Sequence, residues 1–341
     1  MSAAGASASR RAPELVLAGV AIAALSITGL AFGRSLQIPW SGILPFLAIA
    51  AILLASSATI DLVRRRPDFA ARQKRALRLW LPFGIVYLAY RAMRGVLPLV
   101  VNGSYERMLK AADARLFGEP PAWSLSAIHA PWLTELLSYA YATMFFLPLA
   151  VMLALYARDR DRELRRVALA LQLAFYIGFT IFLLVPARSP DVVYQFPTEL
   201  HGYGFYERSM AAWRGLQSVT YDAFPSMHTA ISTIALVFAL RYRIRPLAIG
   251  TIVVLLQFST MYLRQHYFVD VATGWGVAAL AVGCARCMLP TAPRRSNSET
   301  SKCAGSGSAR CASPVPESTE SPRIPTRPAP SCAAPSSSAS S

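Results

Sequence analysis

Residues 224–288 read FPSMHTAISTIALVFALRYRIRPLAIGTIVVLLQFSTMYLRQHYFVDVATGWGVAALAVGCARCM. The stretch holds three apolar runs, at about 226–241, 246–263 and 267–288, joined by two short polar connections. Such runs are typical of membrane-spanning helices, since about 20 apolar residues cross roughly 30 Å of hydrocarbon. Two of the chain's four histidines, His228 and His266, stand at the edges of the first and third runs. Because ionisable side chains at membrane boundaries indicate functional sites, the same stretch predicts both fold and site.

The rest of the chain repeats this apolar pattern. Five further apolar blocks lie at about 14–33, 42–62, 80–100, 135–156 and 166–185, and 54% of all residues are hydrophobic. We therefore expect an all-α polytopic membrane bundle of about eight spans. Three regions are predicted: a two-span hairpin with a basic loop (1–79), a six-span catalytic core (80–288) and a tail (289–341). The tail is rich in Ser, Pro and Ala and cannot bury a core, so it is predicted to be disordered.

The net charge of +16 is distributed along the chain in a way that favours a membrane topology over nucleic-acid binding. Arginines concentrate in every second connection: residues 64–79, residues 157–166 with five arginines, and residues 241–245. Cytoplasmic loops of membrane proteins carry such an excess of basic residues. Both termini are therefore predicted to be cytoplasmic, which places His228 and His266 at the outer side.

The two histidines are predicted to lie at the N-terminal ends of their helices. Free backbone N–H groups and the helix dipole make such ends good sites for phosphate, and Ser226 offers a hydroxyl donor. His266 and Asp270 are four residues apart, so a carboxylate on the same helix face could fix the tautomer and leave the other nitrogen free to attack. His228 could then act as general acid. A single histidine at this position is usually a headgroup contact, but the pair favours an enzyme.

These residues also resemble a known family. Pro225-Ser226-x-His228 resembles the second signature of the type 2 phosphatidic acid phosphatase superfamily, and His266-x-x-x-Asp270 resembles the end of its third. Residues 260–270, TMYLRQHYFVD, are similar to the branch that contains fungal inositol phosphorylceramide synthase. The resemblance covers roughly residues 80–288.

The resemblance implies a double displacement at phosphorus. His266 would become a phosphohistidine, Asp270 would orient it, and His228 would protonate the leaving group and then deprotonate the acceptor. Ser226 and nearby N–H groups would hold the phosphate oxygens. The scheme needs neither a metal nor another cofactor.

Two departures from the superfamily's phosphatases concern the positive charge that binds phosphate. The chain lacks the string Lys, six residues, Arg-Pro, and Thr260 stands where those phosphatases have arginine, as in the synthase-like branch. One alternative source is the face of the third span that carries Tyr87, Arg91 and Arg94, unless these arginines reach outward to headgroups. The other is Arg188, just after the fifth span.

The predicted function is transfer of a phosphate-linked headgroup, of the inositol-phosphate type found in sphingolipid synthesis, between lipids at the outer face. Two alternatives stay open: hydrolysis of a lipid phosphate or polyprenyl diphosphate, and a non-catalytic membrane scaffold or transporter. Glu199, Glu207 and Asp222 are candidates for binding a polyol acceptor, and spacing does not select among them. We expect an integral protein of a bacterial cytoplasmic membrane whose partners are phospholipid or lipid-phosphate substrates and the bilayer, not nucleic acid. The sequence indicates no protein partner.

Overall fold

The computed structural model describes residues 40–64, 68–101, 103–216 and 221–290, together with three isolated positions before them. The chain divides into two units, Met1–Thr291 and Ala292–Ser341, and the described residues all belong to the first. Nearly all of the predicted first span and of the predicted tail lies outside the described residues. The three predicted regions therefore stay predictions.

The described part of the chain is helical, apart from an isolated β-bridge between Ala187 and Asp222. One single-turn 3-10 helix, Leu125–Ala127, accompanies the following α-helices: α1 Trp40–Val63, α2 Phe69–Val100, α3 Glu106–Phe117, α4 Pro121–Ser124, α5 Pro131–Ala142, α6 Phe146–Ala157, α7 Asp161–Leu184, α8 Pro190–Val193, α9 Phe205–Leu216, α10 Met227–Tyr242, α11 Pro246–Tyr262 and α12 Phe268–Met288.

Two of these helices, α7 and α12, are each long and apolar enough to cross a membrane. Helices α5 and α6 would make a third span if the pair, bent by 46°, is one broken helix. This pair occupies the block predicted as a single span at 135–156. The all-helical class is confirmed, whereas the eight spans and the six-span core stay predictions.

Helix α7 forms the centre of the bundle, where it packs against α2, α6, α10 and α12. Its residues 167–171 are almost fully buried, which explains why they form a continuous apolar run. Helix α10 packs in turn against α11 and α12. A Cβ atom at Gly274 of α12 would lie only 2.6 Å from the Ser226 carbonyl oxygen. The glycine therefore lets α12 approach the start of α10 closely.

The arginine-rich connections gather at one end of the bundle. Arg75 of α2 forms ion pairs with Asp61 of α1 and Asp161 of α7. Arg158, after α6, donates to the carbonyl oxygen of Tyr242 at the end of α10. Since α10 rises about 1.5 Å per residue, its first turn with His228 lies about 20 Å away from this end. The arginine-rich connections and the two histidines thus occupy opposite ends.

Candidate active site

The structure brings the two histidines into contact. His266 Nε2 lies 3.2 Å from His228 Nδ1, and both side chains are buried. His228 lies in the first turn of α10, whereas His266 precedes α12, whose N-cap is Tyr267. His266 is therefore held by the loop before the helix rather than by the helix face that its spacing predicts.

The hydrogen-bond partners of His266 define its tautomer. Its Nδ1 lies 2.8 Å from the Ala223 carbonyl oxygen and 3.4 Å from Asp270 Oδ2. A carbonyl oxygen only accepts, so Nδ1 carries the hydrogen and Nε2 presents its lone pair toward His228. Asp270 Oδ2 also accepts the Tyr267 N–H at 2.9 Å. The group that fixes the tautomer of His266 most closely is thus the Ala223 carbonyl. The spacing of side chains in the sequence does not reveal a backbone partner.

The ring of His228 is held by aromatic neighbours. Tyr141 of α5 stacks on it with 4.3 Å between ring centroids, and Trp213 of α9 lies at 5.3 Å. Among the described residues, His228 Nε2 has no hydrogen-bond partner although it is buried. This nitrogen is thus available to a bound molecule.

Ser226 links the starts of α10 and α12. As the N-cap of α10, its hydroxyl oxygen accepts the Thr229 N–H at 3.3 Å and the Thr229 O–H at 3.1 Å. Its own backbone N–H donates to the Asp270 carbonyl oxygen at 3.0 Å. Pro225 consequently lies just before the N-cap of α10. The hydroxyl hydrogen of Ser226 is not used by these bonds, and its contact with phosphate stays a prediction.

The start of α12 corrects one expectation about phosphate binding. Asp113 of α3 is fully buried and accepts the backbone N–H groups of Phe268 at 2.7 Å and Val269 at 3.0 Å. These N–H groups are already bonded, so the expectation that this helix end offers free donors is wrong for them. Sequence reasoning missed Asp113, because nothing in residues 105–117 distinguishes it from Glu106, the other acidic residue there.

Arg188 is the predicted phosphate-binding arginine whose side chain the structure describes. Its Nε lies 2.9 Å from Glu106 Oε1 of α3. Burial alone would raise the pKa of Glu106, but hydrogen bonds from Ser104 and Arg188 lower it overall, so the carboxylate stays charged and holds the guanidinium. For Tyr87, Arg91 and Arg94, the structure describes the backbone within α2, and their side chains lie outside the described part.

A cavity of about 310 Å³ reaches the histidine pair, and Asp222 lines it. Asp222 Oδ2 accepts the Tyr90 O–H at 2.9 Å. Burial raises the pKa of Asp222 to about 6, although the bond from Tyr90 and the charge of His266 act in the opposite direction. Glu199 and Glu207, the other acidic candidates, do not line this cavity. The structure therefore places only Asp222, of these three acidic candidates, at the cavity. Their spacing in the sequence does not make this distinction.

A comparison with protein families agrees with the resemblance in its coarser form. The PAP2 superfamily model matches residues 107–284, which is more than half of the chain. The chain therefore belongs to the PAP2 superfamily. Membership supports a phosphatase-type or phosphotransferase-type enzyme that acts on lipid phosphates, and together with the apolar helices it supports a membrane protein.

One curated relative is a PA-phosphatase related-family protein of Dictyostelium discoideum. It is 32% identical over 121 residues, which cover 32% of this chain and 21% of the relative. The chain thus spans about a fifth of the length of the curated relative it matches. No solved structure matches the chain. Neither match identifies the chain as a member of the inositol phosphorylceramide synthase-like branch.

Proposed function

We propose that the protein is a membrane phosphotransferase that moves a phosphate-linked headgroup between lipids through a phosphohistidine at His266. The observation that carries the proposal is the 3.2 Å contact between His266 Nε2 and His228 Nδ1, with Ala223 holding the hydrogen on the opposite nitrogen of His266. One imidazole is thereby presented as a nucleophile and the other as its proton-handling neighbour.

In the first step, His266 Nε2 attacks phosphorus and a nitrogen–phosphorus bond forms. The bond between phosphorus and the leaving oxygen breaks, and protonated His228 gives that oxygen a proton. Positive charge develops on the His266 ring, where the Ala223 carbonyl and Asp270 stabilise it. A separation of 3.2 Å leaves no room for a phosphoryl group, so the substrate must part the two rings.

In the second step, neutral His228 removes the proton from the acceptor hydroxyl. The acceptor oxygen then attacks phosphorus, the nitrogen–phosphorus bond breaks, and His266 is restored. The unpartnered Nε2 of His228 can receive this hydroxyl within the described site. An alcohol acceptor gives a new lipid, whereas water releases the phosphorylated headgroup, or inorganic phosphate when the donor is a phosphomonoester.

The finer proposal is an inositol-phosphate-type headgroup passed to a sphingolipid-like acceptor at the outer face of a bacterial cytoplasmic membrane. Thr260 and the 260–270 string support this branch, and the arginine-rich opposite end of the bundle supports the outward orientation. Arg188 would bind phosphate through the guanidinium nitrogens beyond its bond to Glu106, with Arg91, Arg94 and Tyr87 as the second source.

A second candidate is a phosphatase for a lipid phosphate or a polyprenyl diphosphate. Superfamily membership and the name of the Dictyostelium relative favour it. The two displacement steps are the same, but the donor is a lipid phosphate or diphosphate and the acceptor of the second step is water. A non-catalytic scaffold or transporter is disfavoured by the contact between the two imidazoles.

One assay separates these functions. Purified protein is incubated with phospholipid labelled in its headgroup phosphate, and separately with a labelled lipid phosphate, each with candidate alcohols. Exchanged lipid is compared with the phosphate compound that is released. We expect exchanged lipid, no turnover with His266→Ala, and a loss of at least about a hundredfold with His228→Ala. His201→Ala, in an exposed outer loop, is the matched control. Inorganic phosphate from the lipid phosphate, with no exchanged lipid from the phospholipid, would establish the phosphatase. Full turnover by His266→Ala would refute both catalytic proposals.

A further inference from the structure

One buried polar group beside the histidines has no role in the two displacement steps. Trp213 of α9 lines the cavity together with His228, and their ring centroids lie 5.3 Å apart. The indole Nε1 of Trp213 is buried and donates to no atom among the described residues. A buried donor without a partner is destabilising, and the indole N–H of a buried tryptophan usually has one. This free donor therefore indicates a ligand that accepts a hydrogen bond.

Helix α5 holds Trp213 in this place. At the start of α9, Glu135 of α5 accepts three backbone N–H groups at 2.9 to 3.0 Å, those of Tyr203, Phe205 and Tyr206. About two turns further along α9, the indole packs edge-to-face against Tyr141 of α5, with 5.6 Å between the ring centroids. Tyr141 also stacks on His228. One helix thus fixes both the indole and the imidazole.

The second free nitrogen in this place belongs to His228. Because His266 Nε2 presents a lone pair, the 3.2 Å contact requires the hydrogen of neutral His228 on Nδ1. The Nε2 of His228 then carries a lone pair and can only accept. Within the described part of the chain, this buried nitrogen has no partner. Two neighbouring rings thus provide one free donor, on Trp213, and one free acceptor, on His228.

A hydroxyl group matches both of these nitrogens. It donates one hydrogen bond and accepts others, whereas an ionised phosphate oxygen only accepts. The oxygen of an alcohol can therefore accept the indole N–H while its hydrogen is donated to His228. Both nitrogens are shielded while the histidine rings are in contact, so the hydroxyl reaches them when a phosphoryl group parts the rings.

We infer that Trp213 and His228 together bind the hydroxyl of the lipid alcohol, with the indole N–H donating to its oxygen and His228 Nε2 accepting its hydrogen. The inference rests on the proposed function for the phosphohistidine at His266. In the second step, the bound oxygen attacks phosphorus as its proton moves to His228. In the first step, the leaving oxygen occupies the same place, where the indole N–H stabilises its developing negative charge while His228 gives it a proton.

Removal of the indole N–H alone tests its role in the first step. Trp213→benzothienylalanine replaces the N–H by sulfur and keeps the ring, and Trp213→Phe keeps an aromatic side chain. Formation of labelled phosphohistidine is measured in a single turnover from a lipid ester and from a p-nitrophenyl ester of one phosphate headgroup. We expect a loss of at least about tenfold with the lipid ester. The p-nitrophenyl ester should show little loss, because nitrophenolate leaves without such stabilisation.

The matched control is Trp132→Phe, which removes the indole of a residue that is 59% exposed. It should keep the wild-type rate with both esters. Equal losses with both esters in the Trp213 variants would indicate a packing role and overturn the inference. An unchanged rate with the lipid ester would overturn it as well.

A binding measurement tests the site without turnover. Wild-type protein with ¹⁵N-labelled indoles and inorganic phosphate is titrated with dioctanoylglycerol or with its methyl ether, which cannot donate. We expect the Trp213 N–H signal, assigned by its loss in Trp213→Phe, to shift downfield with the alcohol alone, while the Trp132 signal stays. A Trp213 signal that does not move, or that moves equally with the ether, would overturn the inference. An alcohol-specific shift in a protein without turnover would instead refute the proposed function alone.

Discussion

At the scale of single residues, the two imidazoles differ because their surroundings differ. His266 is bonded at Nδ1 to a carbonyl oxygen and near a carboxylate, which suits a ring that gains positive charge. His228 is held by ring stacking and keeps one nitrogen without a partner in the described site. This free nitrogen, Nε2, can exchange a proton with a bound molecule. This asymmetry supports His266 as nucleophile and His228 as proton carrier.

Asp222 should make substrate binding depend on pH. Its pKa of about 6 means that it is mostly neutral below that pH and negative above it, where it repels a bound phosphate. A phosphodiester lipid does not titrate in this range, so the pH dependence of KM reports on Asp222. If bound substrate raises the pKa of Asp222 by about one unit, KM should rise up to about tenfold from about pH 5 to about pH 7. Asp222→Asn should have a lower KM at neutral pH and a flat profile.

The control for this measurement is Glu199→Gln, which removes a carboxylate that is 88% exposed in the outer loop. It should keep the wild-type pH profile. A profile for Asp222→Asn that still rises with pH would mean that another group is titrated.

The residue scale also shows what the sequence could predict. His228, His266 and Asp270 were selected because polar residues at the edges of apolar runs are unusual, and the structure brings them together. Their catalytic roles stay predictions. The Ala223 carbonyl and the Asp113 cap were not predictable, because a backbone acceptor has no sequence signal and Asp113 is 155 residues from its partner Phe268.

At the scale of helices, the site depends on the contact between α10 and α12. His228 lies in the first turn of α10, and His266 lies two residues before α12. Gly274 permits this contact. The neighbouring atom that a Cβ would meet at 2.6 Å belongs to the backbone of Ser226, which cannot rotate away. The sequence showed the glycine but not its neighbour, since helix pairing is set by the whole bundle.

Gly274→Ala should therefore separate the two helices and misplace the histidines. We expect a loss of about 1–3 kcal/mol in stability from overpacking and a drop in kcat of at least about tenfold. Gly276→Ala, two residues along the same helix, has open space around it and should be neutral or slightly stabilising, since alanine favours helix. Thermal unfolding and turnover of both variants give the comparison, and equal behaviour of the two would contradict the role of Gly274.

The bend between α5 and α6 marks another limit of sequence reasoning at this scale. The block 135–156 predicted one span, but the helix breaks over 143–145 and bends by 46°. Pro148, the third residue of α6, has no N–H to donate to the Met144 carbonyl, and its ring clashes with that carbonyl, which explains the break. The overall hydropathy of the block hides this local signal.

At the scale of the whole molecule, the arginine-rich connections are separated from the two histidines. The arginine-rich connections are tied together at one end by ion pairs such as Arg75 with Asp161, and the histidines lie at the other. The regular spacing of the arginine clusters in the sequence predicts this separation. Only the structure shows that acidic residues partly neutralise the basic end.

This separation predicts the sidedness of the protein in a membrane, because basic connections stay in the cytoplasm. Gly103→Cys in a background without the native cysteines places a thiol in an open position after α2, in a segment predicted to lie outside. The native Cys287, exposed at the end of α12, reports on the basic end in a second variant. In intact cells, a membrane-impermeant thiol reagent should label the residue 103 cysteine and spare Cys287, and both should react after permeabilisation. Labelling of Cys287 alone before permeabilisation would place the histidines on the cytoplasmic side, where an exchange between lipids of the outer leaflet is impossible.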